Sequence, residues 1–198
     1  VLGAVLAAVL AATACGNSGH KEAARSDFAA PMVVTARRVA PNFQLHDQFG
    51  RPASLDQFRG KAVGLTFVYS HCKNTCPLIL ETLALARDRV GPRFSVVAVS
   101  VDPAGDRPAH VRRWLAARGL LHKVHFLLGT RAQLAPVWKE YDVGSKRIRG
   151  IKSDPELVEH TALIYGIDPQ GLIRTLYPAS PLNGPQVIHD ARLLATSA

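Results

Sequence analysis

Cysteine is scarce in this chain. Only three occur among 198 residues, at positions 15, 72 and 76. They cannot all pair with one another, so at least one has a separate fate. Acidic residues are few: 15 Asp and Glu stand against 24 Lys and Arg, a net charge of +9. Such a surface favours anionic partners such as nucleic acid, lipid headgroups or an acidic protein face. There is no nucleic-acid motif and no interleaving of aromatic and basic residues, which places nucleic acid last among these. No period of 20–50 residues recurs, which excludes a solenoid. Nor is any apolar run long enough for a comfortable membrane span: the one at Val1–Ala14 falls short. The remaining composition, 47% hydrophobic and 20% charged, belongs to a folded chain with enough length for one real core.

Val1–Ala14 reads as the apolar core of a secretory signal. Leu10-Ala11-Ala12-Thr13-Ala14-Cys15-Gly16 resembles a bacterial lipobox, although Ala12 stands where Leu or Val is usual. The reading is cleavage before Cys15 and lipidation of its sulfur. That would place the protein outside the cytoplasm, anchored to the outer face of a bacterial cell membrane. Residues 15–38 then form a lipid-anchored flexible tether, small and polar at its start and carrying His20 as a solvated residue. Residues 39–198 form the folded domain.

Within that domain, Val63–Tyr69 is a continuous apolar run of the kind that forms a buried central strand. A short polar loop follows, then Pro77 at the first position of a helix whose apolar residues recur at helical spacing. Cys72 and Cys76 therefore fall on a strand-to-helix loop, where unpaired N–H groups and the positive end of the helix dipole favour thiolate. At C-x-x-x-C spacing, two sulfurs can form a disulfide or chelate one soft metal ion. Elsewhere, Val39–Arg59 reads as a hairpin and Phe94–Val101 as a second buried strand. Pro108–Arg118 reads as a helix, Val124–Leu128 as a short strand, and Thr130 as the cap of a helix running to Tyr141. Gly144–Glu159 is an irregular basic insertion with Lys146, Arg147, Arg149 and Lys152. A strand at His160–Ile167 follows, then the Asp168–Gly171 turn, a strand at Leu172–Tyr177 and a closing helix at Pro185–Thr196. This order predicts an α/β thioredoxin-like three-layer sandwich with an N-terminal β-hairpin and an insertion before the penultimate strand.

Two soft thiolates select Cu(I), zinc or a cluster, and an added imidazole suits copper or zinc. Three segments together resemble the Sco/SenC family of copper-binding, thioredoxin-like proteins. They are Tyr-Ser-His-Cys-Lys-Asn-Thr-Cys-Pro at 69–77, Ser-Val-Asp-Pro-Ala-Gly-Asp at 100–106, and Glu-His-Thr-Ala-Leu-Ile-Tyr-Gly-Ile-Asp-Pro-Gln-Gly at 159–171. The resemblance covers residues 39–196. It implies a membrane-tethered copper chaperone that helps to build the CuA centre of cytochrome c oxidase, with subunit II of that enzyme or another copper protein as partner. It also implies metal ligation by Cys72, Cys76 and His160.

Around these ligands, Lys73 is expected to lower the thiol pKa values and His71 to stand behind the site. Asp102 and Asp106 read as turn-formers, with a supporting or docking role as the alternative for both. The basic insertion reads as a solvated loop or as a docking face for an acidic partner. Two other activities compete with copper delivery. One is thiol–disulfide oxidoreduction by Cys72 and Cys76 without an essential metal. The other is peroxidase chemistry, ranked low because Tyr69 stands where that fold relative carries Thr.

Overall fold

A computed structural model describes residues 27–147 and 158–197. In chain order the strands are β1 (Met32–Val33), β2 (Gln44–His46), β3 (Pro52–Ser54), β4 (Ala62–Val68), β5 (Phe94–Ser100) and β6 (Val124–Leu127). They continue with β7 (Ser145–Arg147), β8 (Val158–His160), β9 (Leu163–Ile167) and β10 (Ile173–Pro178). The helices are α1 (Thr75–Val90), α2 (Pro108–Ala116), α3 (Arg131–Glu140) and α4 (Gly184–Thr196), with a 3-10 turn at Leu55–Phe58. Six strands make the main sheet, in the order β1-β10-β9-β4-β5-β6. The neighbouring interior strands β4 and β5 are parallel and buried along their whole length, which explains their unbroken apolar sequence.

Residues paired across neighbouring strands share a face of the sheet, so the register assigns the layers. Gly64 pairs with Val96, and Val96 with Val124. A Cβ on Gly64 would meet Leu83 of α1 at 2.7 Å, and Phe126, on the same face, rests against Trp114 of α2. Gly166, opposite Gly64 on β9, lies under Leu194 of α4. Thus α1, α2 and α4 cover one face. On the other, Phe67 meets Tyr141 just beyond α3, and His125 meets Phe58 of the 3-10 turn. That face is covered by α3 and the β2–β3 hairpin, and the whole has three layers. The paired glycines let α1 and α4 approach the sheet closely.

Four details differ from the sequence expectations. First, α1 begins at Thr75, so Pro77 is its third residue and Cys76 lies inside the first turn. Proline is tolerated there because the first four N–H groups of a helix have no intrahelical acceptor. Second, the region read as an irregular insertion opens and closes with an antiparallel ribbon, in which β7 pairs with β8 and Ser145 lies opposite His160. Third, the strand expected over His160–Ile167 is two strands. The chain changes partner at Thr161-Ala162, where Thr161 N–H donates to Gly144 and the Ala162 carbonyl accepts from Ala179. Fourth, the stretch read as tether enters the fold: β1 pairs with β10, and the N–H groups of Ala29 and Ala30 donate to the buried Asp190 carboxylate at 2.7 and 2.9 Å. The signal segment, Cys15, His20, Arg149 and Lys152 lie outside the described residues. Among the described residues, no helix is long and apolar enough to cross a membrane.

Candidate metal centre

The C-terminal ends of β4 and β5 carry the site, as in open α/β sheets generally. The chain leaves β4 through Tyr69 and Ser70, passes His71 and Cys72, and turns into α1. Cys72 N–H donates back to the Tyr69 carbonyl at 3.3 Å. Both sulfurs are free thiols, with Cys76 buried and Cys72 half-buried. Asn74, the residue before α1, supplies no side-chain cap. The Cys72 sulfur takes that part instead, accepting the Cys76 N–H at 3.3 Å. An anion is favoured at that end of a helix, so this placement stabilises thiolate.

The two thiols are driven apart in acidity. The Cys76 S–H donates to Cys72, and the N–H groups of Cys76, Asn74 and Thr75 add to this, bringing the Cys72 pKa down to about 6 despite partial burial. Cys76 is pushed upward by that same contact with Cys72 and by its own burial. The lowering of Cys72 is therefore chiefly the work of donors at the helix start, the cause the sequence reading names beside Lys73.

His160 closes β8. Its imidazole stands edge-on to Tyr69, with ring centroids 5.8 Å apart, so one aromatic ring links the histidine strand to the residue that begins the cysteine loop. Burial lowers its pKa and favours the neutral, metal-binding form, against a smaller opposing effect of the Thr161 carbonyl. That carbonyl lies 3.1 Å from Nδ1. A carbonyl can only accept, so Nδ1 carries the proton and the Nε2 lone pair is left bare. Among the described residues, no three His, Cys, Asp or Glu side chains are grouped closely enough to hold a metal ion. The fold brings His160 into the neighbourhood of the cysteine loop without assembling a three-ligand set.

Behind the loop lies the 100–106 segment. His71 stacks on His110, with rings 4.3 Å apart and nearly parallel. Asp102 is buried and accepts Gly105 N–H at 3.2 Å. Asp106, read from sequence as a turn-former, is buried beneath the loop. It accepts Ser70 N–H at 2.8 Å, Ser70 Oγ–H at 2.5 Å and Ser100 Oγ–H at 2.6 Å. Burial raises its pKa to about 6 even with three donors facing it. Tyr69, Ser70 and His110 are thus given no role by the sequence reading, and for Asp106 the supporting role is only its alternative. The spacing within Ser-Val-Asp-Pro-Ala-Gly-Asp was the available signal, and it does not say which carboxylate turns inward.

A parallel pair of buried strands, a dithiol loop at a helix N-terminus and a β-hairpin followed by a closing helix define a thioredoxin-like dithiol protein. More narrowly, the chain belongs to the SCO1/SenC family, whose match runs over residues 33–195. It is 31% identical over 134 residues to Protein SCO2, mitochondrial, of Saccharomyces cerevisiae, which is 65% of this chain and 44% of that protein. The solved structure of Bradyrhizobium japonicum ScoI with copper bound is 26% identical, with a TM-score of 0.67, over 79% of this chain and 99% of that one. The solution structures of apo Sco1 from Thermus thermophilus are 26% identical, with a TM-score of 0.68, over 86% of this chain and 99% of that one. The chain spans about half the length of the first curated relatives it matches, between 44% and 60%.

Proposed function

We propose that this protein is a copper chaperone that takes one copper ion as cargo on Cys72, Cys76 and His160. It would deliver the ion to subunit II of cytochrome c oxidase or another copper protein, from the outer face of a bacterial membrane to which a lipid on Cys15 tethers it. The observation that carries this reading is a low-pKa, half-buried thiolate with a second sulfur at its side and a neutral imidazole one aromatic ring away. Copper bound to the Bradyrhizobium relative supports it. Soft thiolates and a bare imidazole nitrogen suit Cu(I). Cys76 has to release its proton to bind, so loading is coupled to proton release. Since the three ligands are neighbours and not yet a set, capture also requires the loop and the imidazole to draw together. The partial burial of Cys72 leaves the cargo open to ligand exchange with a receiving protein.

The test is anaerobic Cu(I) titration of the reduced chain against a chromophoric chelator. One ion per chain is expected. His160→Ala is expected to weaken binding by about a hundredfold or more, because loss of an outer hydrogen-bond partner alone costs ~10–100-fold. Unchanged affinity in that variant would remove His160 from the site.

The acidity gap between the thiols favours a second reading. Cys72 would attack a partner's disulfide, and Cys76 would then displace the partner's sulfur. This leaves a Cys72–Cys76 disulfide and a reduced partner dithiol, as in oxidoreductases. Reductase turnover that ignores His160→Ala, without stoichiometric copper binding, would select this reading.

A further inference from the structure

The buried carboxylate of Asp106 belongs to the β5–α2 loop, yet two of the three hydrogen bonds it accepts come from the cysteine loop. Its Oδ1 accepts both the N–H and the Oγ–H of Ser70, two residues before Cys72. Its Oδ2 accepts Ser100 Oγ–H, and Ser100 Oγ in turn accepts Asp102 N–H at 3.1 Å. The Asp106 N–H returns to the Asp102 carbonyl at 2.8 Å, which closes the loop on itself. A second contact presses the same two loops together. A Cβ on Gly105 would collide with Asp102 Oδ2 and stand 3.0 Å from His71 Nδ1, so the β5–α2 backbone lies directly against the residue before Cys72. The loop is held at Ser70 by hydrogen bonds and at His71 by close packing. Buried charge-assisted bonds of this kind are strong and directional.

We propose that Asp106 is a positioning residue for the metal centre: through Ser70 it holds the cysteine loop so that the Cys72 sulfur sits over the α1 N-terminus, where it accepts the Cys76 N–H. The copper arm of the following test rests on the copper-chaperone reading, whereas the exchange arm stands without it. The reduced chain carries Asp106→Asn, Asp106→Ala or Ser70→Ala, and Asp168→Asn serves as a control. Asp168 is an equally buried turn carboxylate that accepts Leu172 N–H at the opposite end of the sheet.

Amide hydrogen exchange is read at Ser70, which reports the Asp106 bond, and at Cys76, which reports the bond to the Cys72 sulfur. Both amides are expected to lose protection together in Asp106→Ala, with Asp106→Asn intermediate because its remaining carbonyl oxygen still accepts. Cu(I) affinity is expected to fall about tenfold in Asp106→Asn, the difference between a charge-assisted and a neutral bond. Asp168→Asn should change neither amide, whatever it does to the melting temperature. Loss of protection at Ser70 with Cys76 unaffected would overturn the proposal, as would equal effects from Asp168→Asn. If Asp106→Ala does not fold, the Asn and Ser70 variants decide. If the unaltered chain takes up no copper, the copper-chaperone reading fails while the exchange result still judges Asp106.

Discussion

Cys72 and Cys76 are chemically alike and four residues apart, yet their settings make them unlike. Cys72 collects the donors of the first helix turn and half faces solvent. Cys76 is buried and gives its own proton toward its neighbour. Only the thiolate is nucleophilic, so alkylation by iodoacetamide should modify Cys72 first, with a rate that rises through a midpoint near pH 6. The sign follows from the lowered pKa: thiolate predominates above the midpoint and thiol below it. Peptide mapping across pH 4–9 checks this, and a midpoint near that of a free thiol, or first labelling at Cys76, would contradict the arrangement. The acidity gap was only half legible in the sequence. Cysteine beside a helix start is visible there, but which sulfur faces the donors depends on the first turn beginning at Thr75 rather than at Pro77.

At the scale of elements, the β9–β10 turn shows how a short motif is held from outside itself. Gly171 sits at φ 79°, the left-handed region, and a Cβ there would collide with the guanidinium of Arg59. Arg59 donates to the Gln170 carbonyl and pairs with Asp56, so it has little room to retreat. Gly171→Ala should therefore destabilise the protein by about 1–3 kcal/mol, the range for a side chain in a sparsely populated backbone region. Urea unfolding measures this, and a loss under about 0.5 kcal/mol, the usual limit for a neutral surface change, would show that Arg59 yields freely. The turn itself was legible, because Asp168-Pro169-Gln170-Gly171 is strong turn chemistry. So was the start of α3, where Thr130 caps the helix, and Gln133 completes a reciprocal cap that the reading did not name. The β7–β8 ribbon was not legible. Three-residue strands rich in charge carry too few apolar positions for a period, and pairing alone defines them.

Over the whole molecule, the fold is fastened at its edge by a buried group with no sequence signature. Asp190 on α4 is 1% exposed. It accepts the N–H groups of Ala29 and Ala30 and the hydroxyl of Tyr177, tying the entering chain to the last helix. Asp190→Ala would leave the buried Tyr177 hydroxyl and two half-buried N–H groups without an acceptor, and since an unsatisfied buried donor costs about 1–3 kcal/mol, a loss of roughly 2–3 kcal/mol is expected. Amide exchange should show Ala29, Ala30 and β1 opening first, with β4 and β5 still protected. Loss of protection spread evenly through the sheet would mean that Asp190 supports the core and not its edge. By itself the sequence determined the central strands, their flanking helices and the dithiol loop. Those rest on local signals: unbroken apolar runs, helical spacing, caps and turn residues. Tertiary structure alone decided that Asp106 turns inward to Ser70, that His160 lies against Tyr69, and that residues 29–33 join the sheet. Each of these joins positions far apart in the chain, and a polar residue gives no local sign of the distant group that will complete its hydrogen bonds.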